Sequence, residues 1–166
     1  MSTSREPRWH RFPPGHREPL RSWLVAKGSL SRRLKDRCRE FRVERLREQL
    51  DRGPVYVREV ILRADEAPVV VARSTTAREN LNGPWRAMLG LANRPLADIL
   101  FQDPMIHRRT LEFARIDSRH ALWLLAARAL GDAPPPQLSA RRSTFARHNR
   151  VLVVVEVFLP SIAELH

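Results

Sequence analysis

VYVREVILRADEAPVVVARSTT, residues 55–76, carries the clearest strand signal in the chain. Two runs rich in β-branched residues flank the short polar segment RADEA, residues 63–67. Strand-forming runs joined by a short polar turn are typical of a β-hairpin. We therefore predict an antiparallel hairpin whose turn lies near Asp65 and Glu66.

The length of this turn determines which residues of the hairpin face each other. A two-residue loop at Asp65–Glu66, or a four-residue loop from Ala64 to Ala67, would pair Arg58 with Arg73 on one face of the sheet. Like charges placed opposite each other destabilise a sheet, and a bound anion would relieve the repulsion. Alternatively, both arginines lie on a solvated face, or a three-residue loop separates them. The pattern favours neither interpretation.

A second strand signal, VLVVVEVFLP at residues 151–160, contains a single carboxylate, Glu156. A run this rich in β-branched residues is typical of a strand covered on both faces, with Val154, Glu156 and Phe158 on the same face. A buried carboxylate costs several kcal/mol unless it is paired, hydrogen-bonded or protonated. Glu156 therefore either forms an internal salt bridge with Arg58 or Arg73, or joins them in a functional site.

The remaining segments complete the pattern of an α+β protein with a single, mainly antiparallel β-sheet. The local spacing of apolar residues within 39–50 favours a helix over a strand. The other predicted elements are helices at residues 20–27, at 29–37 and at 121–130, two short helices within 82–101, a strand at 107–116, and a final hairpin over 139–160 that turns near His148–Asn149.

Length and charge limit the possible functions. The 166 residues, 43% of them hydrophobic, suit one domain over residues 20–166, preceded by a Pro-, Arg- and His-rich segment, 1–19, that we expect to be mobile. The net charge is +12, but 28 of the 30 basic residues are arginines scattered along the whole chain. Without a nucleic-acid motif we expect no nucleic-acid partner, and the positive field would instead attract a small anion.

The cysteine, histidine and hydropathy patterns limit the cellular compartment and the kinds of site that we expect. Cys38 is the only cysteine, which excludes an internal disulfide and fits the reducing cytoplasm. The six histidines lack metal-ligand spacing, so we predict no metal site. Charged residues interrupt every apolar stretch, and the N-terminus lacks the apolar core of a secretory signal. We predict a cytoplasmic monomer without stable membrane insertion.

Several motifs in a fixed order resemble the chorismate lyase (chorismate pyruvate-lyase) family. They span Trp23 to Pro160 and are WLVAKGSLSRRL (23–34), YVREVILRADEAPVVVARST (56–75), RPLADILF (94–101), ARRSTF (140–145) and VVVEVFLP (153–160). Each motif is only moderately specific, and the ordered set is much more so. The resemblance implies an antiparallel sheet with helices on one side, helical flaps over an internal site, and a strand rather than a helix at residues 39–50.

The resemblance also implies an activity, without metal or organic cofactor: conversion of chorismate to 4-hydroxybenzoate and pyruvate, the first committed step of ubiquinone biosynthesis. Carried onto this chain, Arg58 of VRE would bind the ring carboxylate, Glu156 of EVFLP would meet the 4-hydroxyl, and Arg73 of VARS would bind the enolpyruvyl carboxylate. Arg58 and Glu156 would be catalytic, and backbone amides near Leu30 and Leu96 would complete the site. The flaps would be residues 82–101 and the turn at 28–31.

The chemistry suits such residues, because forked guanidinium groups hold carboxylates in fixed geometry and a glutamate can move a proton. The main alternative is a non-catalytic, aromatic-acid-binding module, since sensing domains of one class of bacterial transcription regulators share the fold. Only 54 residues precede Val55, too few for the winged helix-turn-helix of such a regulator. Residues 117–137 appear longer than the connection expected in the family, and their apolar helix is interpreted as packing on the core.

Overall fold

A computed structural model describes residues 5–13, 15–49 and 53–165. Within these residues, six strands form one antiparallel sheet. They are β1 (Phe41–Gln49), β2 (Val55–Ala64), β3 (Ala67–Ala77), β4 (His107–Ile116), β5 (Leu138–Arg147) and β6 (Arg150–Phe158). Their order across the sheet is β1-β2-β3-β6-β5-β4. The predicted α+β class with a single antiparallel sheet is confirmed. The strand at Phe41–Gln49 shows that the helix favoured by local spacing was wrong and the strand implied by the resemblance was right.

Both predicted hairpins close through two-residue turns. Asp65 and Glu66 have φ of 48° and 68°, and His148 and Asn149 have φ of 48° and 59°. Positive φ at both central residues is the pattern of a type I′ turn, whose twist matches that of the flanking strands. One carboxylate oxygen of Asp65 also accepts the backbone N–H groups of residues 39 and 40, each at 2.8 Å, so this turn anchors the entry to β1.

The pairing of Arg58 with Arg73, one of the alternatives that the sequence left open, does not occur because β3 contains a bulge. Next to the turn, Ala64 pairs with Ala67 and Arg63 with Pro68, as a two-residue loop requires. The register then shifts by one residue, so Arg58 lies opposite Ser74 and Arg73 lies opposite Glu59. A one-residue shift moves every later side chain of a strand to the other face of the sheet. Arg58 and Arg73 therefore lie on opposite faces.

Helices cover both faces of the sheet. They are α1 (Leu20–Val25), α2 (Leu30–Lys35), α3 (Ala97–Leu100) and α4 (Ala121–Leu130), with 3-10 segments at Arg78–Asn82, Arg86–Gly90 and Pro160–Glu164. The Ser29 hydroxyl accepts the Arg32 N–H at 3.1 Å, which caps α2. The two helices expected within 82–101 are the 3-10 segment at 86–90 and the single turn of α3.

The two faces have separate apolar cores. On one face, Trp23 and Leu24 of α1 and Leu34 of α2 pack against strand residues that include Val60 and Phe158. On the other face, α4 buries Leu122 and Ala126 against Ile61, Val71 and Val157. The resemblance implied helices on one side only, and α4 departs from that expectation. Its packing confirms the interpretation of residues 121–130 as an additional helix on the core.

The N-terminal segment lies against the edge strand β4. The backbone N–H groups of His10 and Phe113 each donate to the other residue's carbonyl at 2.8 Å. The guanidinium of Arg142 lies 4.5 Å from the ring centre of Trp9. Residues 5–13 run beside this edge of the sheet, and residues 1–4 and 14 lie outside the described residues. The mobility expected of residues 1–19 stays a prediction. No helix in the described part of the chain is long and apolar enough to cross a membrane.

Candidate active site

A pocket lies between two covering segments and the face of the sheet on which α1 and α2 pack. Its cavity volume, counted as the space open to the centre of a water molecule, is about 50 Å³, so the covering segments lie close to the sheet. The covering segments are residues 28–31 at the start of α2 and residues 96–101 around α3. These are the segments predicted to be flaps, and α2 and α3 contact each other over the pocket. The floor consists of side chains from β2, β3, β6 and β5.

The strand register places the polar side chains of the pocket in three parallel rows across the sheet. The middle row runs through Arg58, Ser74, Val154 and Ser143. The row on one side contains Glu156 opposite Arg141. The row on the other side ends with Arg108, which pairs with Phe145. Since successive side chains on one face are two residues apart, neighbouring rows are ~7 Å apart.

Glu156 forms a buried ion pair with Arg141. Its carboxylate accepts Nε of Arg141 in a short hydrogen bond, and the side chains are 13% and 1% exposed. The Nη1 group of Arg141 donates to the carbonyls of Trp23, Leu24 and Ala26 at 3.3, 3.2 and 2.9 Å. These carbonyls lie at the C-terminal end of α1, so Arg141 joins Glu156 to the segment that leads into the first flap.

Arg58 is 2% exposed and holds the second flap. Its Nη2 donates to the carbonyls of Ala92 and Arg94 at 3.0 and 2.9 Å, just before α3. Its Nε is buried without a hydrogen-bond partner among the described residues. Burial lowers the pKa of the Arg58 guanidinium below its ordinary value. A buried cation with an unused N–H group is a favourable place for an anion.

Arg108 is a third guanidinium at the pocket, and sequence reasoning missed it. Its Nη1 donates to the Lys27 carbonyl at 2.6 Å, and its guanidinium lies 4.9 Å from the ring centre of Phe145. Burial, followed by the nearby charge of Arg141, lowers the pKa of Arg108. The charge of Glu156 opposes this shift, and a bound anion would stabilise the cation further.

The structure brings together four of the five predicted site residues. Arg58, Glu156, Leu30 and Leu96 all line the pocket. Arg73 does not: on the opposite face, its Nε and Nη2 donate to one Glu59 oxygen at 2.9 and 2.7 Å. The bulge in β3 is the reason, and Pro68, which has no N–H to donate, marks its position in the sequence.

Arg141 was also missed, although the sequence contains a signal for it. A two-residue loop at His148–Asn149 pairs Arg147 with Arg150, and the same register places Arg141 directly opposite Glu156. Applying the register calculation to the last hairpin would therefore have found the partner of the glutamate. No comparable signal exists for Arg108, because a register shift between Arg108 and Thr110 separates it from the rest of β4.

The charges in the pocket do not balance. Arg58, Arg108 and Arg141 contribute three positive charges and Glu156 one negative charge, which leaves a surplus of two. The remaining lining is mostly apolar, so this surplus acts in a medium that strengthens charge interactions. The pocket is therefore suited to a small dianion. No cluster of three or more His, Cys, Asp or Glu residues that could hold a metal ion occurs in the described ranges.

The family model described as chorismate lyase matches residues 16–165. The chain belongs to the chorismate lyase family. Among its relatives, a "Probable chorismate pyruvate-lyase" of Nitrosomonas europaea is 37% identical over 171 residues, covering 95% of this chain and 96% of that protein. A protein of the same description from Azoarcus sp. (strain BH72) is 42% identical over 175 residues, covering 95% and 93%. Membership of the chorismate lyase family makes the chain a lyase.

Solved structures share the fold at lower identity. The effector domain of PhnF from Mycobacterium smegmatis superposes with a TM-score of 0.50 at 13% identity, covering 82% of this chain and 91% of that one. Identity at this level shows a common fold and nothing about function. The chorismate lyase fold thus also occurs outside the family.

Proposed function

We propose that this chain is a chorismate pyruvate-lyase that releases 4-hydroxybenzoate and pyruvate. The observation that carries the proposal is the surplus of two positive charges around Glu156 in a covered, largely apolar pocket. Chorismate is a small ring dianion, so its two carboxylates would neutralise this surplus. We further propose that the 4-hydroxybenzoate enters ubiquinone biosynthesis, of which this would be the first committed step.

The reaction is an elimination that needs no oxidant or reductant. The ether C–O bond of the enolpyruvyl group breaks, and its electron pair leaves with the enolpyruvate oxygen. The neighbouring ring carbon, which carries the hydroxyl, loses its proton, and the ring becomes aromatic. The enolpyruvate takes up a proton and becomes pyruvate. All atoms and electrons of the substrate are found in the two products, which is consistent with catalysis by the protein alone.

Each charged residue that lines the pocket beside Glu156, and Glu156 itself, has a task in the proposed reaction. Arg58 binds the ring carboxylate through its unused Nε, and Glu156 hydrogen-bonds the 4-hydroxyl and moves protons. Arg141 positions Glu156 and, with the other guanidiniums, stabilises the negative charge that develops on the departing enolpyruvate. The backbone near Leu30 and Leu96 brings both flaps against the substrate, and closure excludes water.

The direct test is incubation of the purified protein with chorismate. We expect 4-hydroxybenzoate and pyruvate in equal amounts, without added metal and with no effect of a chelator. Glu156→Gln should lower kcat strongly, whereas the matched change Glu112→Gln should leave it unchanged, because Glu112 pairs with Arg142 outside the pocket. Full activity of Glu156→Gln, or absence of either product with wild-type protein, would contradict the proposal.

The alternative is a non-catalytic module that binds an aromatic acid. The fold shared with the PhnF effector domain does not decide between the two functions. The non-catalytic alternative would be supported if the protein bound chorismate and 4-hydroxybenzoate but left chorismate unchanged over hours at high enzyme concentration.

A further inference from the structure

Three polar atoms without partners lie at the same pocket. Nε of Arg58, Nε of Arg108 and the hydroxyl of Ser143 are buried and make no hydrogen bond within the described residues. All three residues line the pocket. Buried polar groups in proteins are nearly always hydrogen-bonded, so several unpaired groups at one cavity indicate a missing ligand.

Arg58 and Arg108 enter the pocket from opposite sides of its floor. Arg58 is on β2 and Arg108 on β4, and in the order β2-β3-β6-β5-β4 these strands are four spacings, or ~19 Å, apart. Ser143 is on β5, immediately beside β4, on the pocket side of the sheet. The unpaired groups are thus divided between an Arg58 end and an end formed by Arg108 and Ser143.

The two ends carry the uncompensated charge of the pocket. The charge of Arg141 is balanced by Glu156, whereas neither Arg58 nor Arg108 forms an ion pair with a carboxylate among the described residues. Arg108 is also held in place: Lys27 accepts its Nη1, and Phe145 lies under its guanidinium plane. A fixed guanidinium with a free N–H beside a free hydroxyl can bind one carboxylate without further rearrangement.

We propose that Arg108 and Ser143 form a second carboxylate subsite that binds the enolpyruvyl carboxylate of chorismate. Arg58 then binds the ring carboxylate, and Glu156 lies between the two ends. Arg108 thereby takes the role that the family resemblance had implied for Arg73. This inference rests on the proposed lyase function, and it adds a specificity determinant for the part of the substrate that leaves.

The substrate and the aromatic product differ in the carboxylate that this subsite would bind. Chorismate carries both carboxylates, whereas 4-hydroxybenzoate has lost the enolpyruvyl group and retains only the ring carboxylate. A residue that binds the enolpyruvyl carboxylate should affect chorismate and leave 4-hydroxybenzoate binding unchanged. A residue that binds the ring carboxylate should affect both compounds.

The experiment measures kcat/KM for chorismate and Kd for 4-hydroxybenzoate in Arg108→Gln, Ser143→Ala and Arg58→Gln. Since a hydrogen bond to a charged group contributes more than a neutral one, Arg108→Gln should lower kcat/KM about ten- to hundredfold, and Ser143→Ala about two- to tenfold. Both should leave the 4-hydroxybenzoate Kd unchanged, and Arg58→Gln should weaken both compounds. The control is Arg109→Gln, whose exposed guanidinium donates to Asn149 at 2.6 Å outside the pocket, and it should change neither value.

The possible results separate the two proposals. Wild-type protein that does not convert chorismate overturns the lyase function; the subsite is then tested by comparing the Kd of chorismate with that of 4-hydroxybenzoate in the same variants. The subsite is overturned if Arg108→Gln weakens both compounds equally, or weakens neither. If thermal unfolding shows that Arg108→Gln does not fold, Ser143→Ala decides, and an unchanged kcat/KM for chorismate overturns the subsite.

Discussion

Removal of Arg141 should destabilise the whole domain more than removal of any exposed arginine. The change Arg141→Met keeps the apolar stem but leaves Glu156 buried without a cation and three carbonyls of α1 without their donor. Breaking a buried ion pair by removing one partner costs about 3–5 kcal/mol. Small domains have only about 5–15 kcal/mol of stability in total, so this loss is a large part of it.

The measurement is the free energy of unfolding from urea titration, supported by the midpoint of thermal unfolding. For a domain of this size about 1 kcal/mol corresponds to 2–4 °C, so Arg141→Met should lower the midpoint by roughly 6–20 °C. The neighbouring Arg142 is a matched control, because its ion pair with Glu112 has both side chains nearly 30% exposed. Arg142→Met should cost about 1 kcal/mol.

A double mutant isolates the ion pair from the lost carbonyl contacts. Adding Glu156→Gln to Arg141→Met removes the unpaired negative charge of Glu156, so part of the lost free energy of unfolding should return. A loss below about 1 kcal/mol for Arg141→Met, or a double mutant no more stable than the single one, would show that Glu156 does not depend on Arg141.

Three further outcomes are expected. Arg73→Met should leave the KM for chorismate unchanged but lower the free energy of unfolding by about 3 kcal/mol, because Glu59 is buried and loses its main cation; a raised KM would contradict the register. Leu122→Ala should cost about 2–5 kcal/mol in urea titration with unchanged kinetics, since α4 packs on the face away from the pocket, and altered kinetics would contradict that separation. Burial lowers the pKa of His120 below 6.5, and its Nδ1 accepts the Leu122 N–H at 3.1 Å. The imidazole of His120 therefore binds a proton more readily in the unfolded chain than in the folded one. The free energy of unfolding should decrease as the pH falls below about 6.5, and His120→Asn should make it less dependent on pH in that range.

The sequence predicted elements that depend on local chemistry. Alternation and β-branched composition placed the strands of both hairpins, and the polar segments placed their turns, although the length of the first loop stayed open. Glu156 was recognised because a lone carboxylate in an apolar strand needs a partner, and the structure provides one. These features are encoded within a few residues of chain.

The parts that could not be predicted depend on register and on distant strands. One bulge beside Pro68 moved Arg73 to the wrong face for a site residue, and local pattern does not show whether a strand absorbs an extra residue. Arg108 lies 48 residues before Glu156 in the chain and reaches the pocket only because β4 is the outer neighbour of β5. Among 28 arginines, neither composition nor spacing distinguishes it from Arg109, which faces outward.

The arginines that line the pocket also hold both of its covers: Arg58 through carbonyls 92 and 94, Arg141 through carbonyls 23, 24 and 26, and Arg108 through carbonyl 27. Lifting either cover must break these bonds, and each break frees guanidinium N–H groups at the entrance. The guanidinium groups would therefore attract an incoming anion most strongly while the pocket is open.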